Sequence, residues 1–201
     1  MPDHRQRRAP APDWRRKPTL TGELVLLRPV TVADVPALMP ALRDAEVDRL
    51  TGSHGDLRPD ESAIRTWYAT RGEQDGRLDF AVVERATGHV VGEAVLNGWE
   101  PANESCSFRI LLVPGTYGRG LGTDAVRLIV GHAFDTLGLH RVSLEVYAFN
   151  PRARRVYEKA GFVAEGVLRD ALLYAGERVD ATVMSVLAPE WSRHHGHPET
   201  A

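Results

Sequence analysis

Apolar residues along the chain keep two rhythms. β-rich runs at residues 23–28, 79–85, 89–97, 105–113 and 141–148, with alternating runs at 162–173 and 178–187, predict strands. Ala86-Thr87-Gly88 and Ala175-Gly176-Glu177 supply hairpin turns. Elsewhere the spacing is helical. Residues 32–43 open behind Thr31, and residues 59–71 begin with Pro59-Asp60-Glu61, whose acidic first turn suits the positive end of a helix dipole. Over 120–137, Leu121, Ala125, Val126, Ile129, Val130, Ala133 and Phe134 form a broad stripe, and Gly138 supplies a left-handed stop. Asn150-Pro151 reads as cap and first helical residue; Ala153, Val156, Tyr157 and Ala160 share a face, and Gly161 ends it. The order is β-α-α-β-β-β-α-β-α-β-β, a single α/β domain over residues 20–188.

Composition narrows the class. With 201 residues, 43% hydrophobic, the chain can bury one sizeable core. No apolar run reaches membrane-span length and no secretory signal is read at the arginine-rich start, so a cytoplasmic location without membrane contact is expected. A single cysteine, Cys106, excludes an internal disulfide and a thiolate zinc cluster, and a formal charge of −2 gives no general pull toward nucleic acid. Residues 1–19 carry six basic residues, Arg5, Arg7, Arg8, Arg15, Arg16 and Lys17, against Asp3 and Asp13, with interspersed prolines, and are expected to form a flexible arm. Residues 189–201 read as a polar tail whose His194, His195 and His197 lack a rigid element to make a metal site. No metal is expected.

The densest signal lies between the run 105–113 and the helix after it, where Gly115, Gly118, Gly120 and Gly122 fall within eight positions. A glycine-rich strand-to-helix turn can aim several backbone N–H groups into one concavity at a positive helix end, a cradle for phosphate. Arg119 would add a charge at its rim. The plainer reading is a tight turn using glycine only for its freedom. The P-loop pattern is absent, because Lys17 and Lys159 are the only lysines, and the dinucleotide pattern fails because its third glycine arrives one residue early.

Tyr117-Gly118-Arg119-Gly120-Leu121-Gly122 resembles the acyl-CoA pyrophosphate loop of the GCN5-related N-acetyltransferases, Gln/Arg-x-x-Gly-x-Gly/Ala. Tyr117 departs from the first position, where an aromatic is familiar in the ribosomal-protein N-terminal acetyltransferase branch. Asn150-Pro151-Arg152-Ala153 through Tyr157 to Gly161-Phe162 resembles the family's second signature, Asn-x-x-Ala/Ser-x-x-x-Tyr-x-x-x-Gly-Phe. The resemblance covers residues 22–187. It implies a central mixed, mostly antiparallel twisted sheet flanked by helices and splayed between the fourth and fifth strands. It also implies acetyl-CoA as cosubstrate, held by the amides from Gly118 through Arg119, Gly120, Leu121 and Gly122 to Thr123, by main-chain groups of Ile110, Leu111 and Leu112, and by Asn150.

Direct transfer of acetyl to an amine needs a base, a place for carbonyl charge and an acid for the thiolate. Tyr157 is the candidate acid, since a phenol of pKa about 10 stays protonated at neutral pH; its position also fits a core tyrosine. Asn150 doubles as an N-cap. Glu145, in a Leu-Glu-Val resembling that of protein amino-terminal acetyltransferases, is the candidate base, acting directly or through water, and pairing with Arg141 or an arginine of the next helix would explain it equally well. Glu93 and Glu104 stand in reserve. Cys106, His89, His132 and His140 carry no activating neighbour or metal spacing in the sequence. The acceptor is a primary amine: a protein N-terminus by the branch resemblance, or a polyamine, aminoglycoside or similar small amine. A non-catalytic acyl-CoA-binding protein, or a domain holding another phosphate ligand, are the other readings. Edge strands at the C-terminal end offer a surface for a homodimer that the sequence does not decide.

Overall fold

The computed structural model describes residues 12–53 and 60–195. Its strands are β1 (Leu20–Thr21), β2 (Val25–Pro29), β3 (Leu78–Glu84), β4 (Val90–Glu100), β5 (Ser105–Leu112), β6 (Arg141–Tyr147), β7 (Val163–Tyr174) and β8 (Glu177–Leu187). They form one sheet in the order β1-β2-β3-β4-β5-β6-β8-β7. Every neighbouring pair is antiparallel except β5 and β6, which run parallel. That exceptional ladder is short: it pairs Ser105 with Arg141, Cys106 with Val142 and Ser107 with Ser143, and stops. Beyond Ser107 and Ser143 the strands part around a cavity. These are the fourth and fifth strands of the sequence reading, which did not count the two-residue β1.

The helices are α1 (Val35–Leu42), α2 (Ala45–Thr51), α3 (Glu61–Ala69), α4 (Leu121–Asp135), α5 (Pro151–Lys159) and α6 (Ala188–His195). The stripe of α4 buries Ala125, Val126, Ile129, Val130 and Ala133 against Val25, Leu27, Phe80, Val82, Ala94 and Leu96 of the sheet. Tyr157 of α5 and Trp191 of α6 join this core. On the other face, Val35, Leu38 and Met39 of α1 and Ile64 and Tyr68 of α3 cover Ala81 and Val83. Strand alternation sorts the side chains: Leu144 and Val146 of β6 join the α4 side, so Ser143, Glu145 and Tyr147 project from the other.

Four expectations change. The helix expected over 32–43 starts with a 3₁₀ turn, Val32–Asp34, before α1. Its Asp34 is held bidentately by Arg28, at 2.6 and 2.8 Å. Helix α2 was not anticipated, although Asp44 accepts from the Val47 N–H at 2.9 Å and Gly52 closes the helix at φ +69°. Only Val47 of α2 is fully buried, so no apolar period announces it. Residues 12–19 are not a loose arm: Trp14 is 2% exposed and packs on Trp99 at 5.5 Å. Lys17 Nζ donates to the carbonyls of Gln74 and Arg77 at 2.8 and 2.5 Å. The rest of that arm lies outside the described residues. At the other end α6 replaces the expected tail as far as His195, because Trp191 buries against Phe134 at 5.8 Å. His197 lies outside the described residues.

Candidate active site

The cavity between β5 and β6 has a volume of about 830 Å³. One end is the turn from β5 to α4. Gly118 and Gly120 both adopt left-handed backbone, φ +76° and +82°, which an L side chain strains to reach. The Asp124 N–H donates to Gly120 O at 3.1 Å and is the first to bond back along α4. The amides of Leu121, Gly122 and Thr123 precede that bond, where a helix leaves its donors without an internal partner. No backbone acceptor among the described residues takes the amides from Gly118 to Thr123. A Cβ placed on Gly118 would meet nothing within 4 Å, so space is open over the turn. Unspent amides, a positive helix end and an open cradle fit a diphosphate. Arg119 differs from the expected rim charge: its guanidinium pairs with buried Glu84, and it is absent from the cavity lining. What it offers the turn is its amide.

Along the wall, Ile110, Leu111 and Leu112 all line the cavity. Antiparallel pairing with β4 sets which of their main-chain groups are available. The Val113 N–H donates to Val91 O at 2.8 Å, so by alternation Leu111 also faces β4, while Ile110 and Leu112 face the opening. The Leu112 carbonyl is taken by the Tyr117 hydroxyl, which donates to it at 3.2 Å. Tyr117 in turn lies under the Arg152 guanidinium at 4.0 Å.

Tyr157 is 8% exposed, edge-on to Phe108 at 6.2 Å and tilted against Phe162 at 5.9 Å. It still lines the cavity, and burial pushes its phenol up to about 12. The proton is therefore firmly held until a strong base arrives. Asn150 accepts from the Ala153 N–H at 3.1 Å, capping α5, and its amide donates to Leu50 O at 3.5 Å, tying α5 to α2.

Glu145 is exposed at the cavity, not buried in a sheet interior. Arg141 does not neutralise it, because that guanidinium is spent on Glu165 at 2.5 and 2.6 Å and on Ser185 at 3.0 Å. Of the reserve carboxylates, Glu104 sits in the β4–β5 turn at φ +47°, its carbonyl accepts from the His140 and Arg141 N–H groups, and it is absent from the cavity lining. Glu93 is buried beside Tyr68, outside the lining; desolvation, then Asp79, pushes its carboxyl up to about 7. Cys106 is buried and its thiol is pushed up to about 12 by desolvation, the opposite of an activated nucleophile.

The sequence reading missed Arg109 and Tyr147, and residues Leu50, Thr51, Gly52 and Ser53 at the end of α2, all of which line the cavity. Period-two alternation was the available signal for Arg109 and Tyr147, since both lie on the Glu145 face.

Residues 25–163 match the family model described as an acetyltransferase (GNAT) domain. That stretch is more than half of the chain, and the chain belongs to this family: it is an acetyl-CoA-dependent N-acetyltransferase. It is 25% identical over 174 residues to Bacillus subtilis YoaA, named an uncharacterized N-acetyltransferase, covering 86% of this chain and 98% of that protein. A GCN5-related N-acetyltransferase from Brucella melitensis superposes with a TM-score of 0.76 at 25% identity, over 95% of this chain and 88% of that one. Spermidine N-acetyltransferase from Vibrio cholerae, solved in complex with CoA and spermine, shares the fold at a TM-score of 0.77 and 21% identity, over 84% and 98% of the two chains.

Proposed function

We propose that this enzyme moves acetyl directly to a primary amine within a ternary complex, with Glu145 as base and Tyr157 as acid. The observation that carries this is placement: Tyr157 belongs to the α4 side of the sheet and Glu145 to the other, and both reach the same opening. An acceptor on the Glu145 face and a departing thiolate on the Tyr157 face meet across that opening. Acetyl-CoA supplies an acetyl group activated as its thioester. The amides from Gly118 to Thr123 would hold its diphosphate, the outward main chain of Ile110 and Leu112 its pantetheine arm, and Asn150 a further contact. Glu145 takes one proton from the incoming amine. As the C–N bond forms and the C–S bond breaks, Tyr157 delivers its proton to sulfur. The amine arrives as its ammonium, so after the proton taken by Glu145 the nitrogen gives a second one through water to the Tyr157 phenolate and keeps one hydrogen as the amide.

A protein N-terminal amine is the acceptor implied by the likeness of Leu144-Glu145-Val146 to protein amino-terminal acetyltransferases and by Tyr117, an aromatic familiar at that position in the ribosomal-protein branch. Small amines are the alternative class, since the fold is shared with a spermidine enzyme. A cytoplasmic location suits a single buried thiol and a domain in which no helix among the described residues is long and apolar enough to cross a membrane.

Two variants test the roles. Tyr157→Phe is expected to lower kcat by roughly 100-fold, while acetyl-CoA Kd by calorimetry changes less than about twofold. Gly120→Glu places a carboxylate in the cradle and is expected to abolish acetyl-CoA binding. Undiminished turnover in the first variant removes the acid assignment; undiminished affinity in the second removes the cradle.

A further inference from the structure

Two opposite charges face each other across the opening and do not meet. The β5–β6 register ends at Ser107 opposite Ser143. Two residues farther along each parallel strand, on the same face, stand Arg109 and Glu145. Had the ladder continued they would be cross-strand neighbours roughly 5 Å apart, close enough to pair. The splay carries them apart, and neither has an ion-pair partner among the described residues. Both line the cavity and both are exposed to it. They also act on one hydroxyl: Glu145 raises the Tyr147 phenol and Arg109 lowers it, after the larger effect of burial. Around them the floor is Ser107, Ser143 and Tyr147, and the end of α2 closes one side.

We propose that this enzyme selects amines that carry an anionic group a few bonds from the nitrogen, with the amine presented to Glu145 and the anion bound by Arg109. This rests on the transferase reading above and names its acceptor class. A polycation suits the site poorly, because one of the two unpaired charges that the described residues place at the acceptor face is a guanidinium. Two sources carry the required chemistry: the carboxylate of a small amino acid, and the side chain of an acidic residue at a peptide's N-terminus.

The test uses the full chain and measures thiol release with matched acceptors: β-alanine against β-alaninamide, the C-terminally amidated tripeptide Asp-Ala-Ala against Asn-Ala-Ala, and spermidine. The charged member of at least one pair should exceed its amide by about tenfold or more in kcat/KM, with spermidine below it. The pair that responds identifies the source. Arg109→Gln should erase that ratio through KM while acetyl-CoA Kd and Tm stay unchanged, and Arg109→Glu should turn preference toward spermidine. Equal rates within both pairs overturn the proposal, as does a preference for spermidine or the rejection of every carboxylate amine by protein that binds acetyl-CoA. In those outcomes calorimetric binding of acetyl-CoA keeps the transferase reading standing; loss of that binding in the parent protein overturns both.

Discussion

Glu93 is a carboxyl that the fold seals away from water. It is 6% exposed, Tyr68 hydrogen-bonds to it, and its Oε1 has no partner among the described residues. Because the folded carboxyl keeps its proton to about pH 7, against 4.5 ordinarily, the folded state binds the extra proton between those values. Stability should therefore fall as pH rises from about 4.5 to 7 and stay flat above, the reverse of a salt-bridged carboxylate. Glu93→Gln keeps an acceptor for Tyr68 and removes the slope, so its advantage over the parent should grow by roughly 1–3 kcal/mol between pH 5 and 8. Denaturant titrations at several pH values measure it; a constant difference between the two proteins would refute the buried-proton account. Tyr157 makes a contrasting case at the same scale. Its ring fills the core, as alternation and spacing implied, yet its hydroxyl borders the cavity, so Tyr157→Phe should leave Tm within about 1 °C.

At the scale of elements, α2 shapes one end of the cavity, the end that the proposed function gives to the acceptor. Its last residues lie against Tyr147: a Cβ added at Gly52 would come within 2.5 Å of the Tyr147 hydroxyl oxygen, in a left-handed conformation besides. Arg49 covers Phe149 at 4.8 Å, and Tyr174 donates to Ala45 O at 3.4 Å, so aromatic residues at the ends of β6 and β7 seat the helix. Gly52→Ala should cost about 1–3 kcal/mol and raise the acceptor KM without changing acetyl-CoA affinity, since the Gly118–Thr123 amides sit elsewhere. Thermal melts and steady-state kinetics with varied acceptor check both halves. Little in the sequence betrayed α2. Its cap residues, Asp44 and Gly52, were not read as such from the sequence, since a helix this short with one buried residue carries no periodicity to connect them.

For the whole molecule, the chain entering β1 contributes to the core. Trp14 seals the end of the sheet against Trp99, and Trp14→Ala should cost about 3–5 kcal/mol and lower Tm by roughly 10 °C, read by calorimetry. The sequence reading assigned residues 12–19 to a flexible arm because a lone tryptophan among arginines and prolines makes no pattern; only a distant partner, Trp99, gives it a place. By contrast, the strands, the broad stripe of α4, the glycine turn and the capped α5 were legible, because each is dictated by neighbours within a few positions along the chain. The same local rules carried both family signatures, and with them the class of reaction. Three-dimensional packing decided the rest: that Arg119 turns to Glu84, that Arg141 leaves Glu145 uncompensated, that Glu93 is sealed and Glu104 remote, and that Arg109 faces Glu145. Those outcomes depend on which strands adjoin and where a ladder stops. Such pairings join residues tens of positions apart, and nothing in local periodicity encodes them.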